Sequence, residues 1–150
     1  MLAQTWDIHN NINLYILNNL SAEACAAVSP LKGKSVGSQW AHMHNVRLMW
    51  FKVAAPDLME GLTKIEPKTD LTPQLLINAI EASGQAMSTM LQRSEADGKV
   101  KGFKPHATAF LGYIISHESH HRGQLIATLK QAGMPLDKKV LYGMWEWGTR

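Results

Sequence analysis

Six prolines, Pro30, Pro56, Pro67, Pro73, Pro105 and Pro135, divide the chain into four long proline-free stretches. Proline removes a backbone donor and collides with the preceding helical turn, so long helices must fit between these positions. Apolar residues recur in all four stretches at three- and four-residue steps, the period of a helix with one buried face. In the first, from Leu2 to Leu20, Ile8, Ile12, Tyr15 and Ile16 form the stripe. Ser21 can cap a further short turn, and Ser29-Pro30, Gly33 and Gly37 mark a loop.

Ser35 is placed to cap the second helix, which should end at Ala54 or Ala55, ahead of Pro56. Its apolar residues cover a wide arc, so it is expected to be well buried, with Trp40, Met43, Arg47, Trp50 and Ala54 on one face and Val46, Met49 and Val53 on the next. Thr72-Pro73 opens the third helix with a hydroxyl cap and a proline where its missing N–H costs nothing. Leu76, Ile80, Ser83, Met87 and Met90 face inward, and Asp97-Gly98 stops the helix. The fourth starts after Pro105 and runs to Gln131 or Ala132, before Gly133. No strand and no repeat is evident. The expectation is an all-α four-helix bundle in one domain, residues 1–150, with long crossover loops after the first two helices. The short tail carries Trp145 and Trp147, which are expected to close one end of the bundle.

Charge narrows the partners. With Lys+Arg 15 against Asp+Glu 12, and no basic helix face, a nucleic-acid role is not expected. No apolar run reaches the roughly 20 residues of a membrane span. The N-terminus lacks the basic and apolar regions of a signal peptide. Cys25 is the single cysteine, which excludes an internal disulfide and fits the reducing cytoplasm. Against that one thiol stand seven histidines, so any metal chemistry must rest on imidazole.

The fourth helix concentrates that chemistry. Its inward stripe reads Ala107, Phe110, Ile114, His117, His121, Leu125 and Thr128, so two imidazoles interrupt an apolar row. At i and i+4 they lie about 6 Å apart on one face and can converge on one cation. The second helix offers a third nitrogen from His42 or His44, which point about 200° apart, and spacing does not choose between them. Three imidazoles would leave a metal position open, the pattern of a catalytic rather than a structural site.

A second pattern overlaps the first. His117-Glu118-x-x-His121 matches the H-E-x-x-H of zinc proteases, with Glu118 as general base. No metzincin-type third histidine follows, and no strands are present to shape a substrate cleft. Otherwise Glu118, one step off the histidine stripe, is expected to face solvent or support the ligands. His120 is a neighbour of the site, His9 and His106 are bystanders near helix starts, and Cys25 is a buried, inert thiol.

Taken together, the segment SVGSQWAHMHNVRLMW, the later His-x-x-x-His-Arg-Gly-Gln, the Gly133-Met134-Pro135 exit and the Trp-rich tail resemble the DinB/YfiT-like family of metal-binding bundles. The resemblance implies an up-down-down-up helix order and a homodimer. It implies His42, His117 and His121 as ligands of a divalent ion, zinc or nickel. In characterised relatives the chemistry is thiol-dependent, and by that analogy this chain would act on a small electrophile with a low-molecular-weight thiol. The competing expectations are a non-enzymatic, stress-related metal-binding bundle and a metal-dependent hydrolase using Glu118.

Overall fold

A computed structural model describes residues 1–150, and its regular secondary structure is helical, with no β-sheet. Helix α1 spans Leu2–Leu17, α2 Ala22–Ala26, α3 Val36–Ala54, α4 Pro73–Asp97, α5 Ala107–Gln131 and α6 Lys138–Gly143. Short 3-10 turns cover Pro56–Met59 and Trp147–Thr149. No helix is long and apolar enough to cross a membrane.

The caps behave as their chemistry requires. Ser21, Ser35 and Thr72 accept from the backbone N–H three residues on, and Gly98 ends α4 in the left-handed region at φ 66°. Helix α1 stops at Leu17 instead of Leu20. There the side-chain amides of Asn18 and Asn19 donate to the carbonyls of Leu14 and Tyr15, competing with the backbone donors that would continue the helix.

Side-chain partners fix the helix directions. Met1 and Leu2 of α1 meet Glu95 of α4, and Trp6 Nε1 donates to Gly84 O at 2.9 Å, so α1 and α4 are antiparallel. Gly84 permits this approach, since any β-carbon there would run into the buried amide of Asn10. His44 and Arg47 of α3 reach Ala79 and Ile80 of α4, while Asp57 just after α3 meets Arg93, so α3 and α4 are parallel. His9 and Asn13 of α1 reach Glu118 and Arg122 of α5, which runs parallel to α1 and antiparallel to α3. The order is up-down-down-up, and the segment from Ala55 to Thr72 crosses between the parallel pair.

The core has two apolar clusters. One gathers Ile16, Trp40, Met43, Leu76, Ile80 and Leu125; the other Trp6, Phe51, Met87, Met90, Phe110 and Ile114. Every long helix passes from one cluster to the other through polar residues: His9 and Asn13 on α1, His44 and Arg47 on α3, Ser83 on α4, Glu118 on α5. A buried polar layer therefore crosses the middle of the bundle.

Two expectations fail at the surface. Met49 is 65% exposed and Val53 46%, so α3 buries a narrower arc than its composition implied. Trp145 is 71% exposed and Trp147 38%, so the tryptophans do not close the bundle. Met144 packs against the core at that end, and Arg150 folds back with its guanidinium 3.8 Å over the Tyr15 ring and a hydrogen bond to Gly143 O. These contacts leave both indoles outside.

Candidate metal centre

Helices α3 and α5 run antiparallel, which sets the second turn of α3 beside the middle of α5. His42, His117 and His121 meet on that seam. Their ring centroids are 5.4 Å (His42–His117), 4.6 Å (His42–His121) and 4.7 Å (His117–His121) apart, and one nitrogen from each lies within 4.8 Å of the others. All three rings are half-buried.

The chemistry of these nitrogens fits a cation. The buried Nδ1 atoms of His117 and His121 have no hydrogen-bond partner in the protein. Each is a polar atom withdrawn from water without compensation, which a shared ion would relieve. Burial is the main cause that holds all three imidazoles below their ordinary pKa, His121 down to about 4, where His117 and His42 add to the effect. Lys34 contributes at both His42 and His121. The rings are therefore neutral at pH 7, the state in which imidazole ligates. This three-histidine group can hold a metal ion.

The depressed pKa values carry a stability consequence. In the metal-free protein the unfolded chain binds protons near the ordinary histidine value of 6.5, while folded His121 binds one only near 4. Stability of the metal-free protein is thus expected to be level above about pH 6.5 and to fall as pH drops toward 4. Urea midpoints of chelator-treated protein at pH 7.5 and pH 5 check this; an equal or higher midpoint at pH 5 would contradict it.

His44 is not part of the cluster. Its Nδ1 lies 3.0 Å from Ala79 O and its Nε2 2.9 Å from Thr63 O, so both ring nitrogens face carbonyls on the opposite side of α3. With Asn45, which exchanges two hydrogen bonds with the Ile65 backbone, it clamps the crossover segment to α3. His106 is not a bystander: its ring caps α5 by accepting from Ala109 N–H at 3.2 Å. His120 is exposed, with its ring 5.3 Å from that of His121.

Of the two places expected for Glu118, solvent is excluded: the residue is fully buried, in the polar layer that crosses the bundle. Arg47, equally buried, donates to it in a fork, Nε to Oε1 at 2.7 Å and Nη2 to Oε2 at 2.8 Å. His9 Nε2 and Asn13 Nδ2 also reach Oε2, at 2.9 and 2.8 Å. Burial alone would raise this carboxyl, but the Arg47 charge and these donors hold it well below the ordinary range. Such a carboxylate is a weak base, buried and with both oxygens engaged by Arg47, His9 and Asn13, so the H-E-x-x-H hydrolase geometry is not formed. His9, expected to be incidental, is a structural member of this network. It stays neutral through burial, donates from Nε2 to Glu118 and turns Nδ1 toward Arg122 Nη1 at 3.4 Å. The remaining Arg47 donor, Nη1, goes to Ile80 O and Ser83 Oγ, so one guanidinium ties α3 to both α4 and α5.

Two clefts flank the histidines. One, of about 490 Å³, lies between the Ser29–Lys34 loop and the end of α5 and includes His121; the other, of about 340 Å³, includes His42 and the crossover segment. Lys34 lines both.

Fold and cluster together define a class, an all-α bundle with a three-histidine group able to hold a metal ion. Within that class the chain belongs to the DinB family, whose sequence profile matches residues 1–142. Among solved structures, it is similar to a DinB-like protein from Bacillus cereus ATCC 10987, with a TM-score of 0.61 and 19% identity over 91% of this chain and 93% of that one. At that identity the likeness speaks for the fold. Comparison with curated proteins finds no match.

Proposed function

We propose that the protein binds one divalent ion, zinc or nickel, through His42, His117 and His121, and transfers a small electrophile to a low-molecular-weight thiol. The observation that carries this reading is the convergence within 4.8 Å of three half-buried imidazoles, each held below its ordinary pKa chiefly by burial. An ion held by His42, His117 and His121 would lower the pKa of a low-molecular-weight thiol and favour its thiolate form. In the reaction class proposed, the thiol loses its proton to solvent, a sulfur–carbon bond forms, and the electrophile's leaving group departs with its bonding electrons.

The protein's own residues supply position and access. The Arg47–Glu118 pair fixes α5 against α3, and so fixes the spacing of His42 from His117 and His121. The clefts on either side are the size of small-molecule sites. The same reading places the protein in the cytoplasm, where buried Cys25 stays reduced, and takes a homodimer as its working form.

The test is a screen of metal-loaded, untagged protein with common cellular thiols and model electrophiles. Turnover that needs both thiol and metal is expected, with loss on chelation and recovery on zinc or nickel addition. Turnover that survives metal removal would sink the mechanism. Tight metal binding without turnover would return the protein to a non-enzymatic metal-binding bundle.

A further inference from the structure

The cleft beside His121 differs from an ordinary surface hollow in its lining. It contains Lys32 and Lys34, the amides of Gln39, Gln124 and Gln131, and no carboxylate. The loop is also held in an unusual shape: Lys32 has φ 67°, a left-handed conformation that a residue with a β-carbon seldom takes. Ser29 Oγ anchors the loop by donating to Gln131 Oε1 of α5 at 2.6 Å and accepting from Leu31 N–H at 3.2 Å. The Ser29–Gln131 hydrogen bond thus ties the loop that carries Lys32 and Lys34 to the wall of a polar cleft that includes His121.

We propose that this cleft is a subsite for the oxyanion group of a small anionic molecule, with Lys34 and Lys32 supplying the charge. Lys34 lines the clefts on both sides of the histidines, so an anion held there has its other end within reach of the proposed metal position. The inference rests on the proposed function for that second end, while the anion subsite itself does not require the metal. The anion belongs to the thiol or to the electrophile; the chemistry of recognition is the same.

Succinate and inorganic phosphate are titrated into zinc-loaded and metal-free 15N-labelled protein and followed by NMR. Shifts are expected in the Ser29–Ser35 loop and in Gln124–Gln131 in both forms. Affinity should fall about fivefold in Lys34→Gln, fall further in the Lys32→Gln, Lys34→Gln double variant, and be retained in Lys34→Arg. Both lysines are exposed, so these changes leave the fold intact. Absence of shifts in these segments, or equal affinity in the double variant, would overturn the subsite even where zinc binds stoichiometrically. Shifts in a protein that binds no zinc would keep the subsite and overturn the metal reading instead. The source of the anion is read with zinc-loaded protein, by comparing N-acetylcysteine with its amide and chloroacetate with chloroacetamide. A preference of about fivefold for the charged member of one pair, lost in Lys34→Gln, supports the proposal. Indifference in both pairs overturns its link to the reaction.

Discussion

Glu118→Gln is expected to destabilise the bundle by about 3–5 kcal/mol, the usual effect of removing one partner from a buried ion pair. Glutamine keeps the shape but leaves the Arg47 guanidinium without a counter-charge in a layer closed to water. For a chain of this size, about 2–4 °C per kcal/mol places the loss in melting temperature at roughly 6–20 °C. The pair's net worth is a separate matter from the damage of breaking it. A double change, Arg47→Met with Glu118→Leu, removes both charges together and should be more stable than either single variant. Thermal and urea unfolding followed by circular dichroism read all five proteins: the wild type, Glu118→Gln, Arg47→Met, Glu118→Leu and the double variant. A Glu118→Gln variant as stable as the wild type would contradict the ion-pair account and reopen the carboxylate to other roles.

The second large effect is on metal affinity. His121→Ala should lower it roughly 100- to 1000-fold, taking one ligand as about a quarter of the binding free energy of a four-ligand zinc site. His121 contacts both other rings, so its removal leaves only the His42–His117 pair to hold an ion. Competition against a chromophoric chelator measures the change. The same variant relieves a buried nitrogen that lacks a partner, so the metal-free form should not lose stability in proportion. A parallel collapse of metal-free stability would point to a packing role for that ring.

What the sequence discloses follows the range of each interaction. Caps act within three residues, and Ser35 and Thr72 mark the starts of α3 and α4 where their local chemistry puts them. His117 and His121 share a helix, so periodicity alone sets them side by side. His42 and His44 show why periodicity stops there. Both lie on apolar-looking faces, and the choice depends on which one meets α5 and which meets Thr63 and Ala79, contacts made across the fold. Only the family resemblance favours His42 before the fold is known.

Glu118 and His9 are hidden for the same reason, since their partners lie more than 70 residues away in sequence. A signal was nevertheless present. Arg47 stands in an apolar row of α3 and Glu118 within a helix that must bury one face, and two opposite charges on facing helices satisfy each other. The exposed indoles of Trp145 and Trp147 were beyond reach, because the fold-back of Arg150 onto Tyr15 depends on where α1 ends.

The central claim is that His42, not His44, completes a site with His117 and His121. Bound zinc and nickel should be measured by mass spectrometry in untagged wild type, His42→Ala and His44→Ala, each incubated with metal and desalted. The account predicts near-stoichiometric metal in wild type, loss in His42→Ala, and retention in His44→Ala despite its weaker clamp on the crossover segment. Metal kept by His42→Ala and lost from His44→Ala, or no metal in any of the three, would contradict it.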